Sequence, residues 1–185
     1  MTQDHDGYRT NPRGGPSVRT DIVDAYIFRR PRDASTARVI ELLQLRRARA
    51  PLADTWQPIM GHIEKNETAH QTILREIGEE VGLQPTDPAF LGAWALEQVH
   101  PFYLAALDCI VMSPRFAIEV AHDWEPRLNA EHTAHRWIGA PLHAGLSALE
   151  FFLWPGQRGA VEELLSSIVP RDAPARAHLK LPDIP

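Results

Sequence analysis

Residues 61–83 read GHIEKNETAHQTILREIGEEVGL. The stretch fits, without a mismatch, the pattern G-x5-E-x7-R-E-U-x-E-E-x-G-U, in which U is a bulky aliphatic residue. Gly61, Glu67, Arg75, Glu76, Ile77, Glu79, Glu80, Gly82 and Leu83 fill its constrained places. The spacing predicts a helix over Glu67–Val81, ended by Gly82, because glycine best tolerates a left-handed C-cap. At about 100° per residue, Glu76, Glu79 and Glu80 fall within about 100° of the circumference and so share one edge. Leu74, Ile77 and Val81, with Ile73 beside them, occupy the adjoining arc, which can dock on a sheet. Ionised carboxylates crowded on one edge repel one another, so an isolated helix gains nothing from them. Most glutamate clusters are solvated acidic faces. With Gly61, Glu67 and Arg75 also in register, a divalent-cation site is the stronger reading. Oxygen-only ligands favour a hard ion, Mg²⁺ or Mn²⁺.

Outward from this segment, Ile22–Phe28 and Val39–Leu45 are short β-compatible runs separated by the polar turn RRPRDAST. Trp56–Met60 is a third apolar run, followed at once by Gly61. Phe90–Glu97 and Phe102–Met112 read as two further strands, the second apolar enough to be central. His135–Ile138 is a last short strand, and Gly156–Ile168 an amphipathic helix with Val161, Leu164, Leu165 and Ile168 on one side. Strands and helices mixed in this order make an α/β fold, a sheet covered by helices on its faces. One domain is expected at 20–170, with residues 1–19 and 171–185 as disordered tails.

Composition narrows the partners. Among 185 residues, 24 are acidic and 19 basic, a formal charge of −5 that argues against a general nucleic-acid-binding face. Hydrophobic residues at 44% and charged ones at 23% suit a chain with a real core, so disorder throughout is excluded. The single cysteine, Cys109, allows neither an internal disulfide nor a cysteine zinc site; it reads as a small buried hydrophobe in a reducing, cytoplasmic protein. The longest uncharged apolar stretches, such as Gln98–Leu107, are about half of what a bilayer crossing needs. Residues 1–19 contain no apolar run of the kind a secretory signal requires.

The segment Gly61–Leu83 resembles the Nudix box, and the order of elements extends the likeness to roughly residues 20–170. The resemblance implies a Nudix-type α/β/α sandwich with a mixed β-sheet and a Mg²⁺- or Mn²⁺-dependent hydrolase of phosphate anhydrides. It implies that Glu76, Glu79 and Glu80 hold the metal, Glu80 and Glu76 first, with Glu79 either a ligand or the residue that orients the attacking water. Gly61 would offer its backbone carbonyl to the metal. Glu67 and Arg75 would pair and tie the loop to the helix, since the planar guanidinium grips a carboxylate through two bonds. The entrance departs from the commonest box at Met60, where many members have a second glycine, and at Asn66, where a glycine often precedes the glutamate. Asparagine is the residue after glycine that best accepts a left-handed backbone.

Two more segments carry likeness. NAEHTAHRWI, residues 129–138, is similar to the Glu-His then Arg-Trp-aliphatic pattern of some nucleotide-cleaving Nudix enzymes. Trp56, Gln57 and Gly61 are similar to the entrance of the same group, which includes dATP and dihydroneopterin triphosphate pyrophosphohydrolases. By that likeness Glu131 is a fourth carboxylate, a metal ligand or the general base, against the plainer reading of a surface loop acid. His132 and His135 read as loop and strand polar residues rather than a zinc pair. Trp56, Trp94, Phe102, Tyr103 and Trp124 include stacking partners for a purine or pterin, although core packing is the stronger reading for each; Trp137 reads as core. The basic residues include only Lys65 and Lys180 as lysines; among the arginines, Arg46, Arg47 and Arg49 fork onto phosphates or form a solvated loop, with equal weight. The expected substrate is a nucleoside triphosphate or pterin relative, cleaved to monophosphate and pyrophosphate. A dinucleoside polyphosphate such as Ap4A is the alternative, RNA 5′-pyrophosphohydrolysis a third, and a non-catalytic nucleotide sensor the rival from outside the enzymes. The partner is a small nucleotide; a homodimer is left open.

Overall fold

A computed structural model describes residues 14–32, 39–50, 52–141, 152 and 154–182. In chain order its strands and helices are β1 (Ser17–Arg19), β2 (Ile22–Arg29), β3 (Val39–Arg47), β4 (Trp56–Gln57), β5 (Ile59–His62), α1 (Ala69–Val81), β6 (Phe90–Leu96), β7 (Phe102–Leu104), β8 (Cys109–Val111), β9 (Arg115–Val120), β10 (His132–Pro141), α2 (Pro155–Glu163) and α3 (Pro174–Leu179). The main sheet has the order β10-β3-β2-β9-β6, with β4 on β3 and β5 on β2. Among the described residues only β2 and β9 pair in parallel within it, so the sheet is mixed.

The layers follow from the period-two alternation of strands. Strand β2 sends Val23, Ala25 and Ile27 to one face, where they pack with Ile73, Leu74, Ile77 and Val81 of α1. It sends Tyr26 and Phe28 to the other, against Val161 of α2 and the π-helical turn Leu164–Ile168 that continues it. Two apolar clusters on opposite faces of one sheet make the expected α/β/α sandwich. Among the described residues no helix is long and apolar enough to cross a membrane.

Three expectations need correction. The run Phe102–Met112 is not one central strand. A 3₁₀ turn at Ala105–Leu107 and a left-handed Asp108 (φ 45°) break it into β7 and β8, which join β1 in a separate sheet of order β1-β8-β7. The central place beside β2 belongs to β9 (RFAIEV), which the sequence reading passed over. Its pattern is masked because Arg115 and Glu119 are buried, each held by an opposite charge. The tails are also shorter than expected, where described. Ser17–Arg19 pairs with Cys109–Val111, and beyond residue 170 α3 leads to Lys180, bridged to Trp94, and to Leu181, whose N–H donates to Ala93 O at 2.9 Å. Residues 1–13 and 183–185 lie outside the described residues. Cys109 is buried, as expected.

Candidate active site on the carboxylate edge of α1

Helix α1 is delimited by its own sequence. Asn66 adopts the left-handed backbone (φ 71°) expected of it and turns the chain. Thr68 then caps the helix: Gln71 N–H donates to Thr68 Oγ1 (3.2 Å), and Thr68 N–H donates to Gln71 Oε1 (2.9 Å). Gly82 ends it in the left-handed region (φ 70°), with its N–H bonded to Gly78 O and that of Leu83 to Ile77 O. The helix thus starts at Ala69, leaving Glu67 in the loop before the cap.

Arg75 organises the edge. Its Nε and Nη2 donate to both carboxylate oxygens of Glu67 at 2.8 and 3.1 Å, and Nη2 also reaches His62 O at 3.0 Å. Its Nη1 donates to Glu76 Oε1 at 2.9 Å and, more weakly, to Glu79 Oε2 at 3.4 Å. Glu67 is held at a pKa of about 2, chiefly by the hydrogen bond from Arg75, and also accepts from Glu64 N–H and Thr72 Oγ1. The expected Glu67–Arg75 pair is therefore present, and it fastens both the loop and strand β5 to the helix.

Gly61 lies in β5, opposite Val23. A Cβ added there would stand 2.1 Å from Glu76 Cδ and 2.2 Å from its Oε1, so the Glu76 carboxyl rests directly on the glycine backbone. Any side chain at this place would displace it. Burial raises the Glu76 pKa, against the pull of Arg75. Glu79 is exposed.

Glu80 is the unusual member. It is 3% exposed, and its Oε2 has no hydrogen-bond partner among the described residues. Burial, then the charges of Glu76 and Glu131, push its carboxyl up to about 9, with Arg47 pulling the other way. The loop between β9 and β10 is stitched to the end of α1: Arg127 N–H donates to Val81 O (2.9 Å) and Asn129 N–H to Glu80 O (3.2 Å). Its other side is held by Glu125, which accepts from Arg29 Nη1, Trp137 Nε1 and, through its Oε2, faces His135 Nε2 at 3.1 Å. That stitching carries Glu131, exposed at the surface, into electrostatic range of Glu76 and Glu80.

The basic and aromatic candidates separate. Leu43, Leu45 and hence Arg47 of β3 face α1, and the charge of Arg47 acts on both Glu80 and His132. Arg46 points to the opposite face and pairs with Asp54 at 3.0 Å. Arg49 is exposed, its carbonyl accepting from Arg47 Nε. Trp56, beside Arg46 in register, lies under the Arg136 guanidinium at 4.3 Å, and Arg136 donates twice to Gln44 Oε1. Tyr103 belongs to the small sheet, bonded to Asp108, outside this cluster. Trp94 is core, packed on Phe28; Trp124 and Trp137 are partly buried and meet edge to face. The sequence reading also missed His132 as a neighbour of Glu80. Its side chain is 1% exposed, with Nε2 3.8 Å from Glu80 Oε2. Strand alternation through residue 47 would have separated Arg46 from Arg47; nothing local in the sequence pointed His132 at α1.

An oxygen donor set with a buried, partnerless carboxylate oxygen and a backbone opened by glycine suits a hard divalent cation. The fold and site therefore define an α/β/α protein with a carboxylate-bearing edge on α1, Glu80 buried and Glu79 exposed. The sequence model of the NUDIX domain matches residues 19–154, and the chain belongs to the Nudix family, hydrolases that act on pyrophosphate bonds. The chain is 34% identical over 109 residues to an octanoyltransferase of Myxococcus xanthus, a match covering 58% of this chain but 28% of that protein. It is 31% identical over 125 residues to the asymmetrical bis(5′-nucleosyl)-tetraphosphatase of Sus scrofa, covering 61% of this chain and 74% of the relative. In fold it is similar to the dihydroneopterin triphosphate pyrophosphohydrolase of E. coli (TM-score 0.59, 20% identity, 77% of this chain and 94% of that one).

Proposed function

We propose that the chain is a divalent-cation-dependent nucleotide pyrophosphohydrolase that converts a nucleoside triphosphate, or a pterin relative, to a monophosphate and pyrophosphate. The observation that carries this reading is Glu80, a carboxyl 3% exposed with an oxygen that meets no donor among the described residues. Folding alone disfavours burying such a group unpaired. Glu76, Glu79, Glu80 and the Gly61 carbonyl would hold the ion, Mg²⁺ or Mn²⁺, which when bound neutralises charge on the phosphate oxygens. The chain's own groups do the rest. The Glu67–Arg75 clamp keeps the edge in register with Gly61. Arg47 donates its Nε–H to Arg49 O at 3.2 Å, and its Nη nitrogens would turn onto a phosphate. Glu131, exposed beside the buried carboxyls, takes the proton from water as the new P–O bond forms and the anhydride P–O bond breaks.

A dinucleoside polyphosphate is the second reading, favoured by the likeness to the Sus scrofa tetraphosphatase over 74% of that protein. The test is a panel of dATP, GTP, dihydroneopterin triphosphate, Ap4A and ADP-ribose with Mg²⁺, with products separated by ion-exchange chromatography. Monophosphate plus pyrophosphate from a triphosphate supports the first reading. Faster turnover of Ap4A moves the assignment to the second, and no product from any of them overturns both.

A further inference from the structure

His132 opens β10, opposite Arg47 in register, and its ring is buried directly beside Glu80. Among the described residues its Nδ1 has no hydrogen-bond partner, nor has Glu80 Oε2, the atom its Nε2 faces at 3.8 Å. Two buried polar groups thus confront each other just outside bonding distance, each without another partner at those atoms. The approach is built in, because the backbone around it is stitched on both sides. Asn129 N–H donates to Glu80 O, and Ala48 N–H donates to Glu131 O at 2.8 Å. Neither helix end nor strand start can drift without breaking those bonds.

Resting on the reading of Glu80 as a cation ligand, we infer that His132 is a positioning residue. By closing the 3.8 Å gap, its Nε2–H would donate to Glu80 Oε2 and fix the carboxylate so that its other oxygen is free for the ion. Outer partners of this kind orient metal-binding carboxylates, and their loss typically weakens metal affinity about 10–100-fold. The neighbouring residues then divide the labour: Glu131 faces solvent while His132 is turned inward beneath the helix.

The test is Mn²⁺ affinity, followed by the electron paramagnetic resonance signal of free Mn²⁺ and independent of turnover. His132→Leu fills the same apolar space without a donor, His132→Asn keeps an amide that is too short, and His132→Gln restores an N–H at the ε position. Leu and Asn are expected to weaken Mn²⁺ binding about 10–100-fold, and Gln to stay within about threefold of wild type. Thermal melting without cation identifies variants that stay folded, and Asn serves if Leu does not. Unchanged affinity in Leu or Asn reduces His132 to a filler and overturns the inference. Loss in Gln equal to that in Leu makes the imidazole a direct ligand and overturns it as well. Wild-type protein that binds no Mn²⁺, or binds it no less well after Glu80→Gln, instead overturns the reading of Glu80 and takes this inference with it.

Discussion

Glu80 and Glu119 are buried alike, at 3% and 5% exposure, in opposite company. Glu119, on the α2 side of the sheet, accepts from Arg30 Nε at 2.7 Å and Arg176 Nη2 at 2.8 Å. Burial pushes its carboxyl up, but the two guanidinium groups outweigh it and leave the pKa below the ordinary range. Those arginines also donate to the carbonyls of Val169 and Ile168, so the ion cluster sews the C-terminal segment to the sheet. Asp24, likewise buried, receives Arg115 Nε and Ser113 Oγ, both at 3.1 Å. Glu80 has carboxylates for neighbours and an oxygen with no donor among the described residues. A buried charge that is fully paired reports on architecture. One left unpaired among like charges reports on something the chain meets later.

The sharpest break of that contrast is Glu80→Gln. Turnover should fall by about three orders of magnitude, because a lost electrostatic stabiliser of the reacting charge costs that much. The same variant should be more stable than wild type without cation, and the sign follows from linkage. The folded-state pKa of Glu80, about 9, stands above the ordinary 4.5, so its contribution to stability is complete below about 4.5 and drains away as pH climbs toward 9. Melting curves from pH 5 to 9 should show the variant's advantage growing to roughly 5 °C, since each kcal/mol moves the Tm of a chain this size by about 2–4 °C. No pH trend would mean that Glu80 is not held protonated.

Glu119→Gln should do the reverse. Removing one member of a buried ion cluster costs about 3 kcal/mol, a Tm lowered by roughly 10 °C near neutral pH. Because the folded pKa of Glu119 is depressed, that loss should shrink as pH falls below 4.5, where its stabilisation disappears in wild type too. Activity per folded molecule should be unchanged. Gly61→Ala sharpens the comparison from the other side: its Cβ would overlap the Glu76 carboxyl, so turnover should drop about 10–100-fold through misplacement. Smallest is the pair Arg46→Ala and Arg47→Ala. The former breaks only an exposed ion pair with Asp54, worth about 0.5 kcal/mol of stability or less. The latter should raise KM about tenfold, as loss of a charged hydrogen bond to phosphate does, and equal kinetics for the two would remove Arg47 from the site.

Much of the α1 edge was legible from residues 61–83 because helical periodicity is local. Glu76, Glu79 and Glu80 share an edge wherever the helix lies, and the cap at Thr68 and the left-handed turns at Asn66 and Gly82 are decided within a few residues. The Glu67–Arg75 clamp was legible for the same reason, spanning eight positions across one cap. Strand β9 was not. Its ends carry Arg115 and Glu119, whose burial makes sense only with partners 91, 89 and 57 positions away in the chain. The long apolar run that seemed central went to the smaller sheet, because its Asp108 turn outweighed its hydrophobicity.

The amino-acid order by itself determined the family, the carboxylate edge, the loop clamp and the two-faced sheet, since each follows from spacing along a single element or between adjacent ones. Which arginine faces the carboxylates, which histidine lies under Glu80, and which buried acids are paired were decided only when distant strands came together. Burial turns an ordinary glutamate into a poised one, and burial is a property of the assembled layers rather than of any segment.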